Sequence, residues 1–329
     1  MKKIALMDTS VLSFNIGDQI IMESAKKGLK PILDNSFVVN MPTHSPLFHW
    51  YEFSFRQRDS FRKSLDMIDY KFVCGTNLLS KDMFKRKNTW NINILDAKYF
   101  NNFILVGVGT DGLPEIKNSY TKKLYKKLLS KEFIHSTRDE KTKNVLEGLG
   151  FKVINTGCVT LWGLTEEHCK KIPKTKAESV IFTLTDYKPD KKSDEMLLKI
   201  LANNYKYIYF WPQGIMDLQY FNTLEKSCLG DKLKIITPSL EKYDEYLRNI
   251  DCDFVGTRLH AGIKAMQLCK RSIILGVDNR AKDMRDTYNL NYVSRKNYVE
   301  IENMINSEFE TKINIDKEKI EKFMTQFEA

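Results

Sequence analysis

The chain has 329 residues, 42% hydrophobic, 12% aromatic and 29% charged, a balance that excludes a disordered or fibrous protein and is long enough for two α/β domains or one large one. Lys and Arg number 52 against 42 Asp and Glu, so the formal charge is +10, which suits an anionic small molecule, polymer or membrane face without selecting one. The dense basic stripe with interleaved aromatics of a nucleic-acid binder is missing, so no nucleic-acid partner is expected.

The opening MKKIALMDTSVLS has a short basic lead, but Asp8 interrupts its apolar run too early for an export signal. No window reaches the apolar length of a membrane span. The six cysteines (74, 158, 169, 228, 252, 269) include no CxxC, and Cys74, Cys158, Cys252 and Cys269 lie in or beside apolar stretches. A cytoplasmic chain with reduced thiols is therefore expected.

Lys3–Met7 reads as a strand, followed by the loop Asn15-Ile16-Gly17-Asp18 and a helix over Gln19–Leu29 with Pro31 beyond it. Phe37–Val39 is a second strand. Residues 41–60 are aromatic and Pro-bearing and read as a long loop with a helical stretch. Tyr70–Cys74 is a strand ending at Gly75-Thr76-Asn77, and Phe103–Val108 one ending at Gly109-Thr110-Asp111-Gly112. An amphipathic helix over 119–131, a short strand Phe133–His135, a helix Glu140–Leu149 closed by Gly150, and a strand Phe151–Ile154 come next. The polar stretch 165–178, with Pro173, reads as a linker. Beyond it come strands at Val180–Leu184, Lys206–Phe210, Lys234–Ile236, Asp253–Val255 and Ile273–Leu275, with helices at 193–203, 217–228, 239–250, 259–270 and 315–329. Strand–helix alternation on both sides of a linker predicts two doubly wound parallel-sheet domains, with ligands at the carboxyl ends of strands in the cleft between them. The boundaries expected are 1–168, 169–310 and a C-terminal helix 311–329. Nothing in the sequence signals an oligomeric state.

The stretch 251–284 carries the most chemistry. Its strand runs into Gly256-Thr257, and Arg258-Leu259-His260 opens a helix. Gly256 permits a tight turn and close approach of a ligand. The helix start favours an anion, Arg258 offers a planar donor fork, and His260 can exchange a proton near neutral pH. The bland alternative is that Arg258 pairs with a neighbouring carboxylate and His260 is a satisfied core histidine. Asp278-Asn279-Arg280 after the next strand adds polar groups at the same sheet edge and weighs against it. Arg138, in Ser136-Thr137-Arg138-Asp139-Glu140, sits at a helix start where it opposes the helix dipole and needs an anion or carboxylate partner; Thr137 or Asp139 is the expected cap.

The loops at 15–18, 75–77 and 109–112 each come after a strand and offer Gly with small polar residues. None matches a GxGxxG or P-loop pattern, and each alone is more often a turn. Jointly they suit a polar cleft floor. His44 and His49 have no partners at metal-ligand spacing, and no metal is expected. His49, Trp50 and Tyr51 suit sugar stacking or core packing equally. Lys122, Lys123, Lys126, Lys127 and Lys131 read as a solvated helix face, with a peripheral contact to an anionic membrane as the minor reading.

With these pieces in view, the sequence resembles the polysaccharide pyruvyl transferase family. The matching segments are NIGD, STRDEKTKNVLEGLG with the following TGCVTLW, and DFVGTRLHAGIKAMQLCKRSIILGVD, in the family's order from about residue 4 to residue 285. The resemblance implies a GT-B-like architecture of two Rossmann-like domains facing a cleft, the N-terminal one on the acceptor side and the C-terminal one on the donor side. It implies transfer of pyruvate from phosphoenolpyruvate to two hydroxyls of a sugar, as a ketal on a cell-surface polysaccharide or its precursor, without a cofactor. Carried across by motif, Arg258 and His260 would bind the donor and serve the proton transfers, Arg138 would be a second donor-binding cation, and Asn15 and Asp18 would border the cleft. The chain departs from the family pattern at Cys74-Gly75-Thr76-Asn77, where relatives carry a longer glycine run. It departs again at Arg280 and Lys282, where a Lys is common, and after Cys158, where the usual Pro is missing. Two other readings stand beside this one. One is a GT-B glycosyltransferase using a nucleotide sugar, with Asp278 or Asp283 on the ribose. The other is a non-catalytic binding protein of a glycan pathway.

Overall fold

A computed structural model describes residues 1–48, 59–85, 90–110, 115–116 and 118–327. His49, Trp50, Tyr51, Asp111 and Gly112, and the side chains of Asn279 and Arg280, lie outside the described residues. The chain divides into two compact units, one of residues 1–13, 21–162 and 316–329, the other of residues 14–20 and 163–315.

In the first unit β1 (Lys2–Asp8), β2 (Ser36–Pro42), β3 (Tyr70–Cys74) and β4 (Phe103–Val106) form a parallel sheet in the order β2-β1-β3-β4. β5 (His135–Thr137) and β6 (Val153–Asn155) pair in parallel beside β4, where Gly107 N–H donates to Ser136 Oγ at 2.9 Å and Val108 bridges Thr137. The strand order reverses between β1 and β3. All of β4 is buried, as a strand covered by helices on both faces must be.

In the second unit β7 (Ser179–Thr183), β8 (Tyr207–Phe210), β9 (Leu233–Ile235), β10 (Cys252–Gly256), β11 (Ser272–Gly276) and β12 (Tyr292–Ser294) form one parallel sheet in the order β12-β11-β10-β7-β8-β9. This is the doubly wound order in which the chain starts in the middle, builds one half outward and then crosses back to build the other. The switch point is between β7 and β10, which pair from Cys252↔Ser179 to Gly256↔Thr183. Arg271, buried, fixes the opposite edge by donating to Asp253 Oδ2 at 2.8 Å and to the carbonyls of Met304, Ile305 and Ser307.

Several expectations shift. The continuous boundaries do not match the contacts: Phe14–Ile20 packs with the second unit and residues 316–329 with the first. The C-terminal helix is Lys317–Thr325, and the reason for its attachment is aromatic. Phe327 meets the rings of Tyr70 and Phe72 edge-on at 5.3 and 5.1 Å, and Gln326 exchanges hydrogen bonds with the backbone of Ile134. The expected linker is partly packed, with a capped turn Glu166–Cys169 and buried Cys169 and Ile172. β5 and β6 pair one or two residues beyond the apolar runs that suggested them. The helix expected over 217–228 ends at Asn222, and β12 with the helices Asn279–Tyr288 and Tyr298–Asn306 was not anticipated. On the helix Ser119–Leu128, Leu124, Tyr125 and Leu128 enter the core, while Lys123, Lys126 and Lys127 are exposed. Among the described residues no helix is long and apolar enough to cross a membrane.

His135 joins β4 to β5. Its Nδ1 accepts the Leu105 N–H at 3.2 Å and its Nε2–H donates to Ser130 O at 2.8 Å, so the ring is the neutral Nε2–H tautomer. Burial lowers its pKa to about 4, and the bond to Ser130 O opposes that shift. An unfolded His takes up a proton near pH 6.5, so acid favours the unfolded chain; the stability is held above that pH and lost as pH falls toward 4. Denaturant unfolding should show about 2 kcal/mol of His135-dependent loss between pH 7 and pH 5. A His135→Leu variant with the same pH profile as the parent would show that the ring does not carry it.

Candidate functional site

The second unit gathers most of the singled-out residues at the carboxyl ends of β7, β10 and β11. After Gly256 the chain passes through Thr257 and Arg258 and enters the nine-residue helix Leu259–Gln267. That helix has Arg258 at its N-cap with no side-chain cap. Its first-turn N–H groups, those of Leu259 and His260 among them, therefore point out of the helix end with its positive dipole behind them. The helix is seated by its apolar face: Ala261, Ile263, Ala265 and Met266 are buried, and Gly262 lies so close to Phe254 that a Cβ would sit 2.8 Å from the ring.

Arg258 differs from the expectation. Its guanidinium is 6% exposed and held inside the protein. Nε donates to Asp217 Oδ2 at 2.9 Å and to Leu184 O at 3.2 Å; Nη2 donates to Asp186 Oδ1 at 2.6 Å and also to Asp217 Oδ1. Nη1 takes part in none of these bonds. Asp217 further accepts the backbone N–H groups of Asp186, Gln213 and Gly214 at 3.2, 3.0 and 2.7 Å. Burial pushes the Asp217 carboxyl up, and the Arg258 guanidinium and the Gly214 N–H pull it back; with five donors upon it the group is the carboxylate. Arg258 is thus paired with carboxylates as the bland alternative has it, and it also lines the recess at the helix start. Its charge is met by two carboxylates of its own chain because a guanidinium this deep requires them.

Gly256 is also required by packing. A Cβ there would sit 2.7 Å from Thr183 N, so the backbone of β7 by itself demands glycine. Thr257 is buried and its hydroxyl bonds Thr185 Oγ1 at 2.8 Å. Leu259 and His260 are half-buried at the rim. With Thr257, Arg258, Asn15, Tyr187, Gln213, Asp278 and the end of β11, they enclose a recess of about 50 Å³. That is the space of a few waters, or of one phosphate or carboxylate group.

The segment of Asn15, Gly17 and Asp18 is built into this recess. Asn15 bridges Gly214, and Ile16 N–H donates to Gln213 O at 3.0 Å. Gln213 Nε2 donates to Asn15 Oδ1 at 2.7 Å, and Asn15 Oδ1 also accepts the Gly17 N–H at 3.1 Å. Gln213 is 4% exposed, and its Oε1 has no hydrogen-bond partner among the described residues. Asp18 is buried in the first turn of the helix Gly17–Gly28. Tyr187 lies against the Arg258 guanidinium, 5.2 Å from its ring centroid, and donates to Asp278 Oδ2 at 3.3 Å.

The remaining expected residues cluster in the first unit. Gly75 and Thr76 both have positive φ, +62° and +47°, which Thr adopts only under strain. Gly109 N–H donates to Thr76 O at 2.8 Å, and Arg138 N–H donates to Val108 O at 3.2 Å. A Cβ on Gly109 would lie 2.7 Å from both Asn77 Oδ1 and the Arg138 guanidinium carbon. The loops after β3, β4 and β5 therefore meet at Asn77, Gly109 and Arg138. The carboxylate that Arg138 needed is Asp139, at 3.2 Å from Nε, and Asp139 is also the helix cap, accepting Thr142 N–H at 2.7 Å. Among the described residues no group of His, Cys, Asp and Glu is placed to hold a metal ion.

Asp186, Gln213 and Asp217 were missed in the sequence. The signal lay in WPQGIMD, where polar residues and Gly come after the strand Lys206–Phe210, but nothing local links that strand end to Arg258. Asp217→Ala should cost about 3–5 kcal/mol in denaturant unfolding, because it strands a buried guanidinium and three backbone donors. The double variant Asp217→Leu with Arg258→Met should regain part of that loss; a single-variant cost below about 1 kcal/mol would mean that water already reaches the pair.

A family model described as polysaccharide pyruvyl transferase matches residues 15–279. No curated protein matches the chain. Among solved structures, the chain is similar to the UDP-GlcNAc 2-epimerase of Methanocaldococcus jannaschii, solved with UDP-GlcNAc and UDP, at 16% identity and a TM-score of 0.54, over 100% of this chain and 99% of that one. It is similar to the UDP-GlcNAc 2-epimerase of Neisseria meningitidis at 13% identity and a TM-score of 0.54, over 99% of each chain, and to that of Rickettsia bellii at 12% identity and a TM-score of 0.52, over 99% of this chain and 95% of that one. At such identities the likeness shows the fold alone, which is GT-B-like with Rossmann-like parallel sheets. With the family model spanning 15–279 of 329 residues, the chain is a transferase and belongs to the polysaccharide pyruvyl transferase family.

Proposed function

We propose that the chain moves the pyruvyl group of phosphoenolpyruvate onto two hydroxyls of a sugar, as a ketal on a cell-surface polysaccharide or its precursor. The observation that carries this reading is the uncapped helix start at Leu259 and His260, opening on a recess the size of one phosphate or carboxylate. Backbone N–H groups with the helix dipole behind them suit a small polyanion without a bulky side chain.

In this reading the helix start takes an anionic group of the donor, and Gln213 and Asn15 supply polar contacts beside it. Arg258 works by position: tied to Asp186 and Asp217, it holds the N-cap where the helix start faces the recess. His260, as imidazolium, gives a proton to C3 of the enol, which makes C2 electrophilic. One acceptor hydroxyl adds to C2 and its proton returns to the imidazole. The second hydroxyl then displaces phosphate, whose oxygen takes the remaining proton. The products are one pyruvate ketal and one hydrogen phosphate. No cofactor enters these steps. The donor is a cytoplasmic metabolite, so the reaction belongs in that compartment, and the exposed lysines 123, 126 and 127 would let the chain lie against an anionic membrane face.

One observation favours a second reading. Asp278 lines the same recess, and a carboxylate there suits the hydroxyls of a nucleotide sugar's ribose better than a polyanion. Ligand-induced thermal shifts separate the two, since a ligand that binds the folded state raises its stability by mass action. Phosphoenolpyruvate should raise Tm and nucleotide sugars should not; the reverse result would move the chain to the second reading. With phosphoenolpyruvate and a glycan extract, His260→Ala should lose phosphate release by about 100-fold or more while melting as the parent does. Arg138→Ala should lower turnover by about tenfold if the first unit's cation serves the same reaction. An active His260→Ala enzyme would remove the imidazole from the chemistry.

A further inference from the structure

The loop after β7 carries an aromatic ring that the steps above do not use. Tyr187 is 47% exposed and also lines the recess at the helix start, so it is part of the wall between that recess and solvent. A lone exposed aromatic needs no explanation. This one is pinned on two sides. Its ring centroid lies 5.2 Å from the Arg258 guanidinium, and its hydroxyl donates to Asp278 Oδ2 at 3.3 Å. It therefore ties the loop after β7 to residues that come after β10 and β11, and Leu259 and His260 border the same recess.

The backbone that presents this ring is held by buried groups. On one side Asp186 N–H donates to Asp217 Oδ1 at 3.2 Å. On the other, the buried Arg295 donates to Lys188 O at 2.8 Å, and Asp190 N–H donates to Tyr220 Oη at 3.0 Å. Tyr220 in turn donates at 2.6 Å to Asp194, which is buried on the helix Lys191–Asn204 and pairs with Arg295 at 3.4 Å. A loop anchored on both sides of a single residue gives that side chain a fixed starting point, the condition for a contact placed with precision.

We propose that Tyr187 is a specificity-determining residue of this site: its ring covers Arg258 and the recess against bulk water, so that the reacting carbon meets the acceptor hydroxyl and not water. The chemistry requires such a cover. Once C3 of phosphoenolpyruvate is protonated, C2 accepts any oxygen nucleophile. Water that adds to C2 returns one proton to the imidazole and gives the other to the phosphate as the C2–O bond breaks, so the products are pyruvate and hydrogen phosphate with nothing transferred. A hydrocarbon ring at that wall in place of water leaves the sugar hydroxyls as the nucleophiles. The cover is a property of this loop; only its consequence for phosphoenolpyruvate rests on the reading above.

The test has two arms, both on the full chain. In the first, phosphate release from phosphoenolpyruvate is measured with and without a glycan extract. Tyr187→Ala should raise acceptor-free release relative to ketal formation by about tenfold. Tyr187→Phe, which keeps the ring and loses only the bond to Asp278, should fall between the two and closer to the parent. In the second arm, without any donor, phenylglyoxal modification of Arg258 is followed by peptide mass spectrometry. Tyr187→Ala should be labelled about fivefold faster than the parent, and Tyr187→Phe should again stay closer to the parent. An unchanged release ratio in a Tyr187→Ala chain that melts as the parent does, or unchanged labelling, overturns the cover. A parent that consumes no phosphoenolpyruvate under either condition fails the donor reading instead, and the labelling arm then decides the cover alone.

Discussion

A guanidinium placed where the strand order of a parallel sheet reverses must be met by carboxylates or it will not stay there, because desolvating it costs several kcal/mol. In this chain Asp217 and Asp186 meet Arg258. The three residues come from three different loops, those after β7, β8 and β10, so their pairing locks the carboxyl edge of the sheet. The effect of the lock is local. With Arg258 anchored, the helix Leu259–Gln267 begins at a fixed point, and the side chain at its N-cap is committed elsewhere. In the proposed reading the first turn of that helix is the feature presented to a ligand.

This arrangement changes where positive charge is sought. The overall excess of basic residues suggests a cation-lined donor site, yet the most buried arginine of the motif is neutralised within its own unit. In the proposed reading, attraction for an anion there comes from peptide dipoles and from His260, with Asn15 and Gln213 alongside. Dipoles of this kind are set by the fold and need no reorganisation as charge develops, which is the property wanted in a site that takes a small polyanion. Asn15 reaches the recess because Phe14–Ile20 leaves the first sheet's strand and pairs with residues 213–215. A glutamine amide that spends its nitrogen on Asn15 keeps an oxygen in reserve.

The first unit works with different chemistry. Its loops after β3, β4 and β5 converge through backbone hydrogen bonds, and two successive left-handed residues, Gly75 and Thr76, turn the chain sharply enough to let Asn77, Gly109 and Arg138 meet. Apart from that cluster it holds a cavity whose described lining includes Phe84, Trp90, Asn91, Asn93 and Tyr120.

Much of this was legible from residue order. Apolar runs such as Tyr70–Cys74 and Cys252–Gly256 are buried on both faces, so composition alone announces them as parallel strands, and their alternation with helical periods announces a doubly wound fold. The segments NIGD, STRD and GTRLH also marked the right neighbourhoods, because strand ends and helix starts are where this fold exposes backbone. Short strands were the weaker part: β5 and β6 slipped by one or two residues, and β12 was missed, since three residues carry little pattern of their own. What the sequence by itself determined is the fold class, the family and which loops hold polar residues, for these depend on local periodicity and local motif. Only the tertiary structure decided the partners of those residues. Arg258 and Asp217 stand 41 positions apart and Asn15 and Gln213 stand 198 apart, and a charge or an amide is committed or spare according to what folding brings beside it, which no spacing along the chain records.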